Sequence, residues 1–200
     1  MVATAVKVQQ VKDQLSHPII DNDGHMIEFL PYVIDILEDV AGAGIAKTYS
    51  DYMAPTDRGD SAETRRARRM PRGSFWPFPA ANSLDRATGM LPGLLYERMP
   101  EIGIDFSVIL PSCGLDAVMF EDEELRRATS RAFNIYFSSI LSDFSSRMTP
   151  AALIPAFTPE EAIAELEYAV NELGVRAAMV GHTVWRTTKT ASGEVIRWVD

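Results

Sequence analysis

An α/β fold with a parallel sheet is what this sequence predicts, on three observations. Short apolar runs alternate along the chain with longer segments whose apolar residues recur every three or four positions. Glycine, proline and capping residues fall at the joints. The 200 residues are 46% hydrophobic and 24% charged, enough to bury one sizeable core. Alternation in this order implies parallel strands joined by right-handed crossovers.

Residues 1–17 read as a loose leader, and Pro18 ends whatever precedes the first strand, over 19–24. Ile27, Leu30, Val33, Ile34, Leu37 and Val40 have helical spacing, and Gly42 and Gly44 stop that helix. Residues 46–83 form a long irregular segment with Arg58, Arg65, Arg66, Arg68, Arg69 and Arg72, followed by Phe75-Trp76-Pro77-Phe78-Pro79. It reads as a solvated basic face with an aromatic anchor, or as a lid, an anion site or an oligomer contact. A helix over 84–99 ends at Gly103, and a strand over 104–110 is closed by Pro111. A long amphipathic helix over 121–148 has acids at its start and Arg147 at its end, as the helix dipole prefers. A strand over 151–156 leads to Thr158 as N-cap, Pro159 at the first helical position and Glu161 completing a capping box. That helix stops at Gly174, and the fourth strand covers 175–181. The tail from 183 to 200 is polar until Val195–Val199, which resembles a closing strand or short helix, and no fifth α/β unit follows.

A net charge of −9 and a pI near 4.9 argue against nucleic acid and anionic membranes as partners. The single cysteine, Cys113, rules out an intrachain disulfide framework and fits a reducing compartment. With no signal-like N-terminus and no window near ~18 continuous apolar residues, the expected location is the cytoplasm.

The most informative stretch is Ile19-Ile20-Asp21-Asn22-Asp23-Gly24-His25-Met26-Ile27-Glu28. In a regular strand Asp21, Asp23 and His25 share one face. A carboxylate beside an imidazole at a strand end is half of a divalent-metal site. At the end of the first strand, these groups would face the mouth of a sheet or barrel. Gly24 would allow close approach of backbone or ligand. The same residues also read as a hydrogen-bonded turn, with Asp21 or Asp23 capping a helix that starts near Met26.

Asp21-Asn22-Asp23-Gly24-His25 with Glu28 resembles the first metal motif of the amidohydrolase-related metalloenzymes. The branch is the one with aminocarboxymuconate semialdehyde decarboxylase and resorcylate-type decarboxylases. The resemblance continues through Arg65-Arg66-Ala67-Arg68-Arg69, Asp85-Arg86-Ala87-Thr88-Gly89-Met90-Leu91-Pro92, Leu95-Tyr96-Glu97-Arg98 and Gly103-Ile104-Asp105-Phe106-Ser107-Val108. It extends through Arg131-Ala132-Phe133-Asn134 and Leu153-Ile154-Pro155 to Glu172-Leu173-Gly174.

The resemblance implies a partial TIM (β/α)8 barrel: about the first four βα units, over 18–182, with the Arg-rich segment inserted after the first helix. It implies Asp23 and His25 as ligands of a divalent ion, zinc or manganese. Asp21 and Glu28 would orient those ligands. It implies a hydrolase or a decarboxylating lyase that acts on a small organic acid or carbonyl compound. The family's remaining ligands, a histidine after the fifth strand and an aspartate after the eighth, have no counterpart among four strands. His17 precedes the first strand and reads as a surface residue, and His182 comes one strand too early to be a ligand. Cys113 reads as a buried thiol, or with His182 and Arg186 as pocket lining. No catalytic residue can be assigned. A compact barrel needs roughly 200 to 250 residues, so the chain reads as the N-terminal half of an enzyme, inactive alone, with open strand edges that invite self-association. The alternatives are a non-catalytic binding or oligomerisation module on the same fold, and an α/β domain that binds a small anion through Arg65–Arg72.

Overall fold

Four strands form one parallel sheet in the order β1-β2-β3-β4: β1 (Ile20–Met26), β2 (Phe106–Pro111), β3 (Met148–Ile154) and β4 (Ala177–Val180). The structure is a computed structural model that describes residues 2–53, 82–181, 185–193 and 195–199. The Arg65–Arg72 cluster and the Phe75–Pro79 run lie outside the described residues, as does His182.

The helices, in chain order, are α1 (Val2–Lys12), α2 (Leu30–Met53), α3 (Ser83–Thr88), α4 (Pro92–Ile102), α5 (Glu123–Leu141) and α6 (Pro159–Asn171). Pairing β1 with β2, β2 with β3 and β3 with β4 in parallel requires a crossover after each strand, and helices fill those crossovers. The main core gathers Met26, Val33, Leu37, Tyr49, Ile109, Phe133 and Met148. A smaller cluster of Ala152, Ile154, Ala169 and Val175 seats α6.

Each departure from the sequence reading has an identifiable cause. Residues 2–12 form α1 rather than a loose leader. Lys12 Nζ reaches Asp105 Oδ1 at 2.5 Å, and the Ile19 N–H donates to Asp105 Oδ2 at 2.8 Å. The Lys12 bond, helped by Ile19, holds the Asp105 carboxyl below the usual range. The helix after β1 breaks at Gly42, where φ is 82°, but it resumes and runs to Met53; Gly44 does not stop it. Glycine adopts such a φ without steric cost, so the chain kinks there and continues.

The single helix expected over 84–99 is two. Asn82 caps α3 by accepting from the Asp85 N–H at 2.9 Å, and Pro92 begins α4 with Leu91 extended before it. The helix expected over 121–148 ends at Leu141. The Ser139 and Ser142 hydroxyls bond the Tyr136 and Ser139 carbonyls, a short 3₁₀ turn follows, and Met148 already belongs to β3. Thr158 and Glu161 form the expected capping box at the start of α6. The tail makes an antiparallel hairpin of β5 (Trp185–Lys189) and β6 (Val195–Val199), with Arg186 paired to Trp198.

Candidate metal centre

β1 carries one residue more than its partner. Asp21 pairs with Ser107 and Gly24 with Ile109, so three steps on β1 match two on β2. This bulge breaks the alternation that would put Asp21, Asp23 and His25 on one face. Asp21 turns to the side of Gly24: Oδ2 accepts from the Ser107 hydroxyl at 3.2 Å, and Oδ1 accepts the Asp23 N–H at 3.1 Å. A Cβ built on Gly24 would stand 2.3 Å from Ser107 Oγ and 3.0 Å from Asp21 Oδ2. The close approach anticipated at Gly24 is therefore made by these two side chains and by the backbone carbonyl of Val108, also 3.0 Å from that Cβ. The turn reading survives only in the Asp21–Asp23 bond. Neither acid caps a helix, because α2 starts at Leu30.

Asp23 and His25 remain together. His25 Nε2 lies 3.6 Å from Asp23 Oδ1, the imidazole largely covered and the carboxylate 80% exposed. On the other side of the ring, Nδ1 is 3.1 Å from the Pro111 carbonyl and 3.5 Å from Ser112 Oγ. A carbonyl only accepts, so the bond places the neutral ring's proton on Nδ1 and turns the lone pair of Nε2 toward Asp23. Two donors each about 2.1 Å from a shared zinc would stand about 3.4 Å apart, so a few tenths of an ångström separate the observed pair from joint coordination. Among the described residues no group of three His, Cys, Asp or Glu side chains could hold an ion. The donors present fit half of a site.

Glu28 lies behind this pair, 4% exposed. Its Oε1 accepts the Ser112 and Gly114 N–H groups at 2.8 and 3.3 Å, and its Oε2 accepts the Cys113 N–H at 2.8 Å. Burial pushes the carboxyl above its ordinary range, against the pull of these donors. Cys113 is half-buried in the loop that Glu28 holds. The Tyr136 hydroxyl accepts the Phe29 N–H at 3.0 Å, which ties the chain after β1 to α5. Sequence reasoning passed over Pro111, Ser112 and Tyr136. For Pro111 and Ser112 the signal was available in their position at the end of β2, beside β1.

The other quoted motifs serve packing. Arg98 bonds Asp85, Thr88 and Glu101. Asn134 brackets Leu153, donating to its carbonyl at 3.0 Å and accepting its N–H at 2.7 Å, where β3 diverges from β2. Arg131 pairs with Glu165 at 2.8 Å, and the buried Arg126 pairs with the buried Glu161 at 2.8 Å. A groove of about 510 Å³ between α2, α5 and α6, lined by Val40, Glu123, Arg127, Arg131 and Glu165, is on the helix layer and not at His25.

No family model and no curated protein sequence matches the chain. Solved structures do. A dihydroxybenzoic acid decarboxylase from Polaromonas sp. JS666, crystallised with manganese and 2-nitroresorcinol, superposes with a TM-score of 0.50 at 19% identity over 84% of this chain and 39% of its own. A 5-carboxyvanillate decarboxylase from Novosphingobium aromaticivorans, crystallised with manganese and 3-methoxy-4-hydroxy-5-nitrobenzoic acid, gives 0.51 at 12% identity over 83% and 42%. The chain spans about two fifths of their length. The likeness establishes the fold: a parallel α/β sheet corresponding to part of a TIM barrel.

Proposed function

We propose that Asp23 and His25 are the first-strand ligands of a divalent ion, manganese or zinc, in an amidohydrolase-type decarboxylase or hydrolase acting on a small, aromatic or unsaturated organic acid. The observation that carries this reading is the 3.6 Å pair at the carboxyl end of β1, with Nδ1 of the ring anchored on Pro111. The motif series in the sequence and the decarboxylases among the structural neighbours, both holding manganese, support it. A bound ion would polarise a substrate carboxylate or carbonyl, or activate a water. His25 would offer it a neutral nitrogen and Asp23 a charged oxygen. Asp21, bonded to Ser107, keeps the bulge in shape rather than reaching that ion. Roles for His182 and the Arg186 side chain in a pocket, and a cytoplasmic location, belong to the same proposal.

Two protein ligands are fewer than the three of a catalytic zinc site. The 200-residue chain alone should therefore bind manganese or zinc weakly and turn over aromatic carboxylates and lactones negligibly. Calorimetric titration tests this: His25→Ala should remove most of the binding and His17→Ala none. Binding that is indifferent to His25→Ala overturns the assignment. Robust turnover lost in His25→Ala would place the missing ligands elsewhere in the chain or in a second copy.

A second reading, a non-catalytic module that works by association, is favoured by one observation. Ile163, Leu166 and Val170 lie exposed on α6, and Val180 lies exposed on the edge strand β4. No helix among the described residues is long and apolar enough to cross a membrane.

A further inference from the structure

We propose that Glu28 is a positioning residue for His25. It clamps the backbone after β2 so that the Pro111 carbonyl receives the Nδ1 proton, and thereby fixes which ring nitrogen faces Asp23. The metal reading gives this arrangement its purpose, but the arrangement itself is measurable without metal.

The chain of contacts is continuous. Three successive N–H groups, of Ser112, Cys113 and Gly114, converge on one carboxylate. The residue directly before them supplies the carbonyl that holds His25, and Ser112 adds its hydroxyl at 3.5 Å. Convergent backbone N–H groups form a concavity that suits an anion. An ionised carboxylate is acceptor-only and matches three donors, whereas a carboxamide must turn its NH2 against one of them. The loop follows Pro111, the last residue of β2, so no further strand pairing with β1 holds its backbone. Glu28 supplies that hold from two residues beyond β1. One acid thus couples the ends of two strands, and the imidazole sits at the junction. Burial disfavours the charge, so a side chain chosen only to fill this space would be apolar. The N–H cradle explains why an acid is there.

The test uses the metal-free full chain, labelled with ¹⁵N, at about pH 8, above the ordinary histidine pKa of about 6.5. Long-range ¹H–¹⁵N spectra report the tautomer of each ring, and the chain has only three histidines, His17, His25 and His182. In the wild type His25 should be the Nδ1–H form. In Glu28→Gln it should move toward the Nε2–H form, with circular dichroism and the His17 signals unchanged and with zinc affinity lowered roughly tenfold or more. Ser112→Ala, which leaves the carbonyl in place, should keep the Nδ1–H form. A wild-type His25 in the Nε2–H form overturns the proposal, as does a folded Glu28→Gln whose tautomer is unchanged. If Glu28→Gln does not fold, the wild-type tautomer together with exchange protection of the Ser112 and Cys113 amides decides: both present supports the clamp, either absent overturns it. A wild type that binds no zinc while Glu28→Gln still shifts the tautomer refutes the metal reading and leaves the positioning role standing.

Discussion

The two flanks of α6 are inverted relative to an ordinary surface helix. The flank facing α5 is buried and carries acids, Glu161 and Glu165, with Ala169. The opposite flank is exposed and apolar, with Ile163 55%, Leu166 43% and Val170 50% exposed. The buried acids are tolerable because each is partnered. Glu161 takes Arg126 and the Thr158 N–H, and Glu165 takes Arg131 and Asn134. Arg126 lies 3.8 Å from the centre of the Phe157 ring, and Arg131 lies 3.4 Å from that of Tyr168. The apolar flank has no such partners described. A helix with polar contacts made inward and apolar residues left outward is built to be covered on both sides.

The largest effect expected from breaking this contrast is on the inner flank. Arg126→Ala strands Glu161 in the interior and should cost about 3–5 kcal/mol, read as a lower midpoint in urea unfolding. Asn134→Ala leaves the Leu153 N–H and a Glu165 oxygen without their partner and should cost about 2 kcal/mol, by the same measurement. On the outer flank Leu166→Gln should change monomer stability by no more than about 0.5 kcal/mol. It should, however, weaken self-association in sedimentation velocity. Equal sedimentation of variant and wild type, both monomeric, would show that the apolar flank does not drive association.

The smallest effect concerns α1. Because Lys12 holds the Asp105 carboxyl low, the pair's stabilisation is full above the ordinary aspartate pKa of about 3.9 and is lost as pH falls through the lower folded value. Asp105→Asn should flatten that part of the acid limb of stability and leave the neutral region nearly unchanged. An acid limb identical to wild type would remove Asp105 from the account.

The order of strands and helices was legible because burial imposes a period, and the capping box at Thr158 was legible because its chemistry is local. Helix ends at Leu141 and Thr88 were not, since serine hydroxyls and a proline compete with the ladder in ways that apolar spacing does not record. The helix of the leader was missed because its apolar residues show little periodicity, and its anchor, Asp105, lies 93 residues from Lys12. At the site, Asp23 beside His25 could be read from adjacency. Asp21 could not be placed correctly, since a bulge depends on the neighbouring strand and alternation along one strand cannot reveal it. The buried pairs of α6 were hidden for a similar reason: Glu161 reads only as a capping residue, and Glu165 carries no signal, until Arg126, Arg131 and Asn134 are brought against them.

The extra residue in β1 gives that strand slack at one place only. Removing Asn22 would leave Asp21, Asp23 and Gly24 opposite Ser107, Val108 and Ile109, a regular ladder with His25 still opposite Leu110. Removing Gly24 instead would also keep His25 opposite Leu110, but it would put Asp23 opposite Ile109, on the face away from the imidazole and where a Cβ would now meet Ser107 Oγ at 2.3 Å. The strand can thus lose length at Asn22 and keep Asp23 and His25 on one face, whereas the same loss two residues later keeps the imidazole in register and turns the carboxylate away from it.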